Sequence, residues 1–256
     1  MSESPTAVWQ ERDGRLLRLR LARPKANVLD AAMTESLRAA LDAHGRDPNL
    51  TAILLDGAGP HFSFGASVEE HLPAACAAML QGFHALFLAV LASEVPVLAV
   101  IRGQCLGGGL ELAMAAHLLF AAPDVKLGQP EIRLGVFAPA ASCILPERVP
   151  RTLAEDLLIS GRTIDAAEAH RLGLVNAVAD DPEAAAMAYF DAHLAPLSPS
   201  SLRYGVRAAR GDLVARVKAR LAAVEKLYLE DLMKTADAVE GLEAFLAKRP
   251  PAWRAA

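Results

Sequence analysis

The most informative segment of the sequence reads Gly107-Gly108-Gly109-Leu110-Glu111-Leu112-Ala113. It follows a short apolar run, Pro96 to Ile101, and it begins an apolar stretch, so the three glycines separate a predicted strand from a predicted helix. Glycines at such a place let backbone amides approach a ligand, and the first amides of a helix have no intrahelical acceptor. The segment is therefore a candidate anion or oxyanion site. Close packing of the helix against the strand explains the triplet equally well.

Glu111 lies in the first turn of this predicted helix, between Leu110 and Leu112. A carboxylate buried among apolar residues has to be stabilised by hydrogen-bond donors or retained for function. The alternative is a surface carboxylate that the helix dipole favours.

A second acidic residue, Glu131, lies in the segment Gly128-Gln129-Pro130-Glu131, beyond the next predicted strand. Loops at the carboxyl ends of parallel strands meet at one edge of the sheet, so Glu111 and Glu131 can face one substrate. Paired carboxylates suit general acid and base catalysis. Taken alone, the segment is equally typical of a turn with a solvated glutamate.

A third candidate segment, His61 to Ser67, is an apolar loop directly after the predicted buried strand Thr51 to Leu55. Loops in that position often contact ligands. His61 itself is more typical of a structural histidine than of a catalytic one. The sequence contains no HExxH, GxSxG or GxxxxGK pattern, which removes the usual support for a zinc hydrolase, a serine hydrolase or a P-loop protein.

The rest of the first 150 residues alternates between strand and helix patterns. A hairpin is predicted around Asp13-Gly14, and a helix is predicted to begin after Asp30 as its N-cap. Repeated alternation of this kind indicates an α/β fold with mainly parallel strands. Beyond about Arg151 the pattern is almost entirely helical, with Leu174 to Val178 as the one strand-like interruption.

The composition excludes several classes of function. Of the 256 residues, 53% are hydrophobic and 22% charged, which is typical of a globular protein. The net charge of -4 provides no field for a nucleic acid. Neither a signal peptide nor a membrane span is predicted, because the most apolar window, Ala85 to Ile101, is interrupted by polar residues and a proline. The three cysteines form no CxxC pair, and their odd number predicts reduced, core-filling thiols in a cytoplasmic protein.

Taken in order, these segments resemble the enoyl-CoA hydratase/isomerase (crotonase) family. The segments that carry the resemblance are Arg23 to Leu29, Phe62 to Ala66, Gly107 to Ala113, Gln129 to Gly135, Gly161 to Asn176 and Glu243 to Arg249. They cover nearly the whole chain. The resemblance implies an α/β, crotonase-like fold of repeated ββα-type units in a spiral core, with a C-terminal α-helical region. The implied division is a core over residues 1–195 and a helical oligomerisation region over residues 196–256.

The resemblance also implies a catalytic site. An oxyanion hole made of the backbone N–H groups of Phe64 and Gly108 would hold a thioester carbonyl. The family's hydratases use two glutamates, and Glu111 and Glu131 fill both positions, so we expect water addition with Glu131 as proton donor and Glu111 orienting or activating water. Further substrate contacts are implied at Lys25, Ala26, Ala66, Ser67, Gly107 and Phe137.

The same resemblance implies the partners. The substrate is an acyl-CoA thioester, and coenzyme A enters as part of it, so no separate cofactor and no metal is expected. The expected assembly is a homotrimer or a homohexamer in the cytoplasm. No nucleic acid and no membrane partner is expected.

Departures from the family pattern indicate the substrate. Phe64 occupies a position that is usually small, Ser67 stands where many relatives carry Asp, and Val136 to Ser142 replaces a glycine-rich turn. The segments Phe62 to Pro73, Arg102 to Leu106 and Val136 to Arg148 together resemble the family's hydratases of cyclic dienoyl-CoA thioesters in anaerobic benzoyl-CoA degradation. The alternatives are a straight-chain 2-enoyl-CoA hydratase, a ring hydrolase or isomerase, and a non-catalytic acyl-CoA binding protein, which leaves the two glutamates unexplained.

Overall fold

The structure is a computed structural model, and it describes residues 4–254. Its strands are β1 (Thr6–Glu11), β2 (Leu16–Leu21), β3 (Ala52–Gly57), β4 (Val97–Ile101), β5 (Gln104–Leu106), β6 (Leu118–Ala121), β7 (Lys126–Gly128), β8 (Thr163–Asp165) and β9 (Ala177–Val178). Its α-helices are α1 (Ala31–His44), α2 (Cys76–Leu91), α3 (Gly108–Ala115), α4 (Pro139–Arg148), α5 (Arg151–Ser160), α6 (Ala166–Arg171), α7 (Pro182–Tyr189), α8 (Pro199–Glu230) and α9 (Ala236–Leu246). Short 3-10 helices span Glu69–His71, Pro130–Leu134 and Leu232–Lys234, and one π-helical turn spans Phe190–Leu194.

Two sheets organise the chain. The larger sheet has the order β1-β2-β3-β4-β6-β9, in which only the β1–β2 pair is antiparallel. The smaller sheet has the order β5-β7-β8. The chain leaves the larger sheet after β4, enters the smaller one at β5 and returns through α3 to β6. The glycine triplet therefore lies where the chain passes from one sheet to the other.

The larger sheet is covered on both faces, which explains why its strands are nearly continuous apolar runs. Along β2, Leu17, Leu19 and Leu21 point into the main core with helices α1, α2 and α3. Leu16 points to the opposite face, into a second cluster that includes Phe190. This period-2 alternation fixes the register of the sheet and thereby the rim on which the loops meet.

Most predicted elements are present. The hairpin is confirmed, since Val8 pairs with Leu19 and Gln10 with Leu17. Helix α1 begins where predicted, because the Asp30 side chain accepts a hydrogen bond from the Met33 N–H and caps the helix. The three cysteines are buried free thiols, as expected.

Two local predictions are wrong. The segment Gly128 to Glu131 is not a simple loop, because its second half begins the 3-10 helix Pro130–Leu134. Beyond Arg151 the predicted single strand-like interruption is accompanied by a second strand, β8, which completes the smaller sheet. Strands of three residues are too short for an alternating pattern to reveal them.

The C-terminal region packs into the body of the protein. Helix α8 has 32 residues, which corresponds to about 48 Å of helix. Its buried residues Val217, Leu221 and Tyr228 belong to the main core, as does Leu242 of α9. Within residues 4–254, none of the helices combines the length and the apolar character that a membrane crossing requires.

Candidate active site

A cavity opens at the N-terminal end of α3. The loop before the first 3-10 helix, helix α2, the glycine triplet, the segment from Pro130 to Pro139 and helix α9 all contribute to its wall. The lining residues are Phe64, Gly65, Ala66, Val68, His71, Met79, Leu80, Phe83, His84, Gly107, Gly108, Glu111, Pro130, Glu131, Leu134, Val136, Phe137, Ala138, Pro139 and Leu242. The wall is mainly apolar, and the two glutamates predicted from the sequence are among its few polar groups.

Each glycine of the triplet makes a contact that a side chain would prevent. Gly107 has φ +51°, and a Cβ there would collide with Glu131 Oε1. A Cβ on Gly108 would lie 3.1 Å from the Ala66 nitrogen, and one on Gly109 would lie 2.7 Å from the Ser63 Cβ. The triplet therefore serves close packing, and the same packing brings its backbone to the cavity.

Two residues that line this cavity have a backbone N–H group without an acceptor in the described part of the chain. The Gly108 nitrogen is at the first position of α3, where an intrahelical acceptor is missing. The Ala66 nitrogen lies beside it on the neighbouring loop. No hydrogen-bond partner for either N–H occurs among residues 4–254. A pair of adjacent free donors at a helix N-terminus is suited to binding an oxyanion.

The expectation for Phe64 has to be corrected. Its N–H donates to the Ala26 carbonyl oxygen at 2.9 Å and is not free to bind a substrate oxygen. The Gly65 N–H is also occupied, since it donates to Ser63 Oγ at 3.0 Å. Gly65 has φ +106°, a conformation that turns the next peptide towards the triplet. The first free donor of the loop is consequently Ala66, two residues later than predicted.

Glu111 is a buried side chain, 4% exposed, in the first turn of α3. Its Oε1 accepts a hydrogen bond from the Ala141 N–H at 2.6 Å. Ala141 lies in the first turn of α4, so Glu111 is bound at the N-terminal end of a second helix. The alternative of a surface carboxylate is wrong.

Glu131 lies on the 3-10 helix Pro130–Leu134, with its carboxylate against the backbone of Gly107. Its Oε2 is shielded from solvent and has no hydrogen-bond partner among the described residues. The alternative of a solvated glutamate in a turn is therefore also wrong. A carboxyl oxygen that is buried and without a hydrogen-bond partner is suited to carrying a proton.

The two carboxyl groups titrate as a pair. Burial raises the pKa of Glu111 to about 7, while the Ala141 and Ala140 N–H groups act against that rise. Burial and the negative charge of Glu111 raise the pKa of Glu131 to about 8. Both pKa values are therefore raised. The ionised form of Glu111 is the better stabilised of the two, because only Glu111 has backbone donors from another helix.

The predicted substrate contacts divide into two groups. Ala66, Gly107 and Phe137 line the cavity. Lys25 and Ala26 do not line it, although the Ala26 carbonyl accepts the Phe64 N–H at the cavity mouth and Lys25 is exposed beside it.

Ser67 also lies outside the cavity lining. Its hydroxyl donates to Glu69 Oε2 at 3.1 Å and accepts from the Glu70 N–H. The hydroxyl is therefore hydrogen-bonded within its own turn. His61 has a structural role, as expected, because its Nδ1 accepts the Gln104 N–H at 3.1 Å.

Several polar groups near the glutamates were not found from the sequence. His84 lines the cavity, and the Tyr228 hydroxyl is buried behind Phe137, with the two ring centroids 5.1 Å apart. His84 Nε2, Tyr228 Oη and both amide atoms of Gln129 are buried without a partner among the described residues. The only signal for His84 is that it interrupts a long apolar helix pattern. Nothing local marks Tyr228, because α8 reaches the site from far along the chain.

The profile of the family described as enoyl-CoA hydratase/isomerase matches residues 11–256. A cyclohexa-1,5-dienecarbonyl-CoA hydratase from Thauera aromatica is 64% identical over 255 residues, which are 99% of each chain. A probable enoyl-CoA hydratase, echA8, from Mycobacterium bovis is 36% identical over 94% of this chain and 95% of the relative. The crystal structure of a carnitinyl-CoA hydratase from Mycobacterium avium superimposes with a TM-score of 0.88 at 29% identity, covering 100% of both chains.

Proposed function

The chain belongs to the enoyl-CoA hydratase/isomerase family, and we propose that it adds water to cyclohexa-1,5-diene-1-carbonyl-CoA to form 6-hydroxycyclohex-1-ene-1-carbonyl-CoA. The observation that carries this proposal is the pairing of Glu111 and Glu131 in one apolar cavity beside two free backbone donors. The 64% identity to a hydratase of the cyclic dienoyl-CoA supports the substrate. The activity is that of an acyl-CoA hydro-lyase.

The thioester carbonyl binds to the N–H groups of Ala66 and Gly108. When the water oxygen bonds to a ring carbon β to the carbonyl, the electron pair of the attacked double bond moves towards the thioester oxygen. Two fixed donors stabilise the enolate charge that develops there, and loss of one such donor typically costs about 3 kcal/mol of activation free energy. The N-terminal end of α3 adds its partial positive charge at the same point.

The two glutamates divide the proton transfers. Glu111 takes the role of the acceptor that orients and activates water, because its carboxylate is held by the Ala141 N–H. Glu131 takes the role of the proton donor, because burial and the charge of Glu111 hold its pKa high. Glu131 gives its proton to the ring carbon, and Glu111 accepts the proton of the attacking water. Transfer of that proton from Glu111 to Glu131 then restores the starting state of the pair.

The apolar wall suits a six-membered acyl ring. Phe137 lies against Tyr228 in an edge-to-face arrangement, so its own position is fixed from behind. Leu242 from α9 and Val136 complete this side of the cavity. The segment Val136 to Ser142 runs into α4, which explains how it shapes the ring pocket and also supplies the amide that holds Glu111.

The coenzyme A part of the substrate needs a polar entrance. Lys25 is exposed beside the Phe64 segment, and its ammonium group is a suitable partner for a phosphate of coenzyme A. Coenzyme A enters and leaves as part of the thioester, and water is the only co-reactant in this scheme. No separate cofactor and no metal takes part.

The assembly we propose is a homotrimer or a homohexamer. Helix α8 supports this, since it exposes the apolar side chains of Tyr204 (69%) and Leu227 (51%), which a neighbouring subunit would cover. Sedimentation velocity of the purified protein tests the assembly. We place the protein in the cytoplasm, in anaerobic benzoyl-CoA degradation; its three free buried cysteines support a reducing compartment.

The experiment that tests the function mixes purified protein with cyclohexa-1,5-diene-1-carbonyl-CoA. Loss of the diene absorbance together with a product one water heavier and with an intact ring supports the proposal. Faster conversion of crotonyl-CoA than of the cyclic substrate would instead assign a straight-chain hydratase. A product of unchanged mass would assign an isomerase.

A further inference from the structure

His84 lines the same cavity as the two glutamates, but the scheme above gives it no role. It lies on α2 next to Phe83, and it is 4% exposed. A buried imidazole on an otherwise apolar helix face is costly unless both ring nitrogens are hydrogen-bonded. The contacts of those two nitrogens therefore indicate what the residue binds.

One of the nitrogens has a strong partner. His84 Nδ1 lies 2.5 Å from Oε2 of Glu225, which reaches across from α8. A carboxylate only accepts hydrogen bonds, so Nδ1 carries the proton. Burial lowers the pKa of His84, and the ring is accordingly neutral near pH 7. Glu225 thus fixes the tautomer in which Nε2 has a free lone pair.

The other nitrogen has no partner. His84 Nε2 is shielded from solvent, and no group within residues 4–254 donates to it. As the lone-pair nitrogen of a neutral ring, it requires a donor. A cyclic acyl group without a hydroxyl presents only C–H bonds to the apolar wall, so the donor has to come from water, from the hydrated product or from the pantetheine arm.

We propose that His84 Nε2 accepts a hydrogen bond from the O–H group that hydration adds to the acyl ring, and that Glu225 acts through His84 as a positioning residue. This inference rests on the proposed function. It makes His84 a substrate-contacting residue that distinguishes the hydroxylated ring from the hydroxyl-free ring. The amide N–H groups of the pantetheine arm are the alternative donors, and the test distinguishes them from the hydroxyl group of the ring.

The test compares the affinities for two thioesters that differ by one hydroxyl group. The ligands are 6-hydroxycyclohex-1-ene-1-carbonyl-CoA and cyclohex-1-ene-1-carbonyl-CoA, and both carry the same pantetheine arm. Every protein tested also carries Glu131→Gln to suppress turnover. Calorimetry gives the two Kd values and their ratio for each protein.

We expect His84→Phe to weaken binding of the hydroxylated ligand by about 2- to 12-fold, as loss of one neutral hydrogen bond implies, and to leave the affinity for the other ligand unchanged. Glu225→Gln should lower the same selectivity by a smaller factor, because the tautomer is then less firmly fixed. The matched control is His71→Phe: His71 also lines the cavity and its Nδ1 is bonded to the Ser67 carbonyl oxygen, but its Nε2, unlike that of His84, is not a buried atom left without a partner. It should change both affinities equally.

Equal weakening of both ligands by His84→Phe would overturn the inference, because it would indicate a packing role or a contact with the pantetheine arm. Unchanged affinities would overturn it as well. If His84→Phe does not fold, Glu225→Gln decides in the same way, since its side chain is 32% exposed and tolerates the exchange. Failure of the proposed function appears separately, as an enzyme with Glu131 intact that does not hydrate the cyclic dienoyl-CoA.

Discussion

Oε1 of Glu111 accepts the backbone N–H of Ala141 at 2.6 Å, so the first turn of one helix holds a carboxylate carried by the first turn of another. The partial positive charge of the α4 N-terminus favours the ionised form of this group. Glu131 has no such donor for its shielded Oε2 among the described residues. On this asymmetry we base the proposal that Glu111 acts as the base and Glu131 as the acid.

Replacing either carboxyl group by an amide should abolish most of the turnover. We expect Glu131→Gln and Glu111→Gln each to lower kcat by about 10² to 10⁴, the usual contribution of a positioned acid or base, with the substrate still bound. The measurement is kcat and KM on the cyclic dienoyl-CoA. The exposed Glu155 is the matched control, and Glu155→Gln should keep the rate. A glutamate variant that kept more than about half the activity would have to be removed from the mechanism.

The same substitution should change stability in a pH-dependent way. The pKa of Glu131 is about 8 in the folded state, above an unfolded value of about 4.3, so the folded state binds more protons between these limits. Ionisation of Glu131 therefore costs stability as pH rises through this window. Glu131→Gln removes that cost.

We expect the Tm of Glu131→Gln to exceed that of the unmodified protein by several degrees at pH 9 and by much less at pH 4.5. Thermal melts at these two pH values and at pH 7 test the prediction. A difference in Tm that does not change with pH would show that the Glu131 pKa is close to its ordinary value.

The sequence predicted the two glutamates and the free N–H group of Gly108, but not the second free N–H group, that of Ala66. Glu111 and Glu131 were found because an acid in an apolar helix start and an acid after the next strand are visible locally. The identity of the donor depends on how the loop at Gly65 turns, and φ +106° at that residue is set by its packing against Leu106 and Gly108. A one-dimensional pattern does not contain that packing.

The distant contributions to the site were hidden for a similar reason. Leu242 and Tyr228 come from helices whose patterns indicate only a buried face. Which part of the protein buries that face depends on how α8 and α9 pack against the core in three dimensions. The three-residue strands of the smaller sheet were missed because periodicity requires longer runs.

The proposed oxyanion donors can be tested at Gly108. We expect Gly108→Ala to lower kcat by about 10² or more, because its Cβ would lie 3.1 Å from the Ala66 nitrogen and displace the second donor. Gly82 on α2 is the matched control, since a Cβ there meets only Thr34 Cγ2, at 3.9 Å. Gly82→Ala should keep the rate and stabilise the helix by about 1 kcal/mol. Equal, small effects of both substitutions on kcat would show that the triplet serves packing alone.

Whether the enzyme prefers a cyclic or a straight-chain acyl group depends on the aromatic residues of the cavity. We expect different effects from replacing two of them. Phe64 is 46% exposed and lies edge-to-face on His61, with the centroids 5.0 Å apart, so it covers the entrance. Phe137 is supported by Tyr228 and faces the interior.

We therefore expect Phe137→Ala to have the larger effect on the cyclic substrate. A fully buried Phe side chain contributes about 1.5–3 kcal/mol of transfer free energy. Loss of about half of that contact lowers kcat/KM for the cyclic dienoyl-CoA by ~4- to 12-fold. Crotonyl-CoA, which does not fill the pocket, should lose less.

The decisive quantity is the ratio of kcat/KM for the cyclic substrate to that for crotonyl-CoA, measured in the unmodified protein, in Phe137→Ala and in Phe64→Ala. The ratio should fall in Phe137→Ala and change less in Phe64→Ala. If Phe64→Ala lowered it more, the ring would lie at the entrance of the cavity, and the assignment of the Val136 to Ser142 segment as the ring pocket would be wrong.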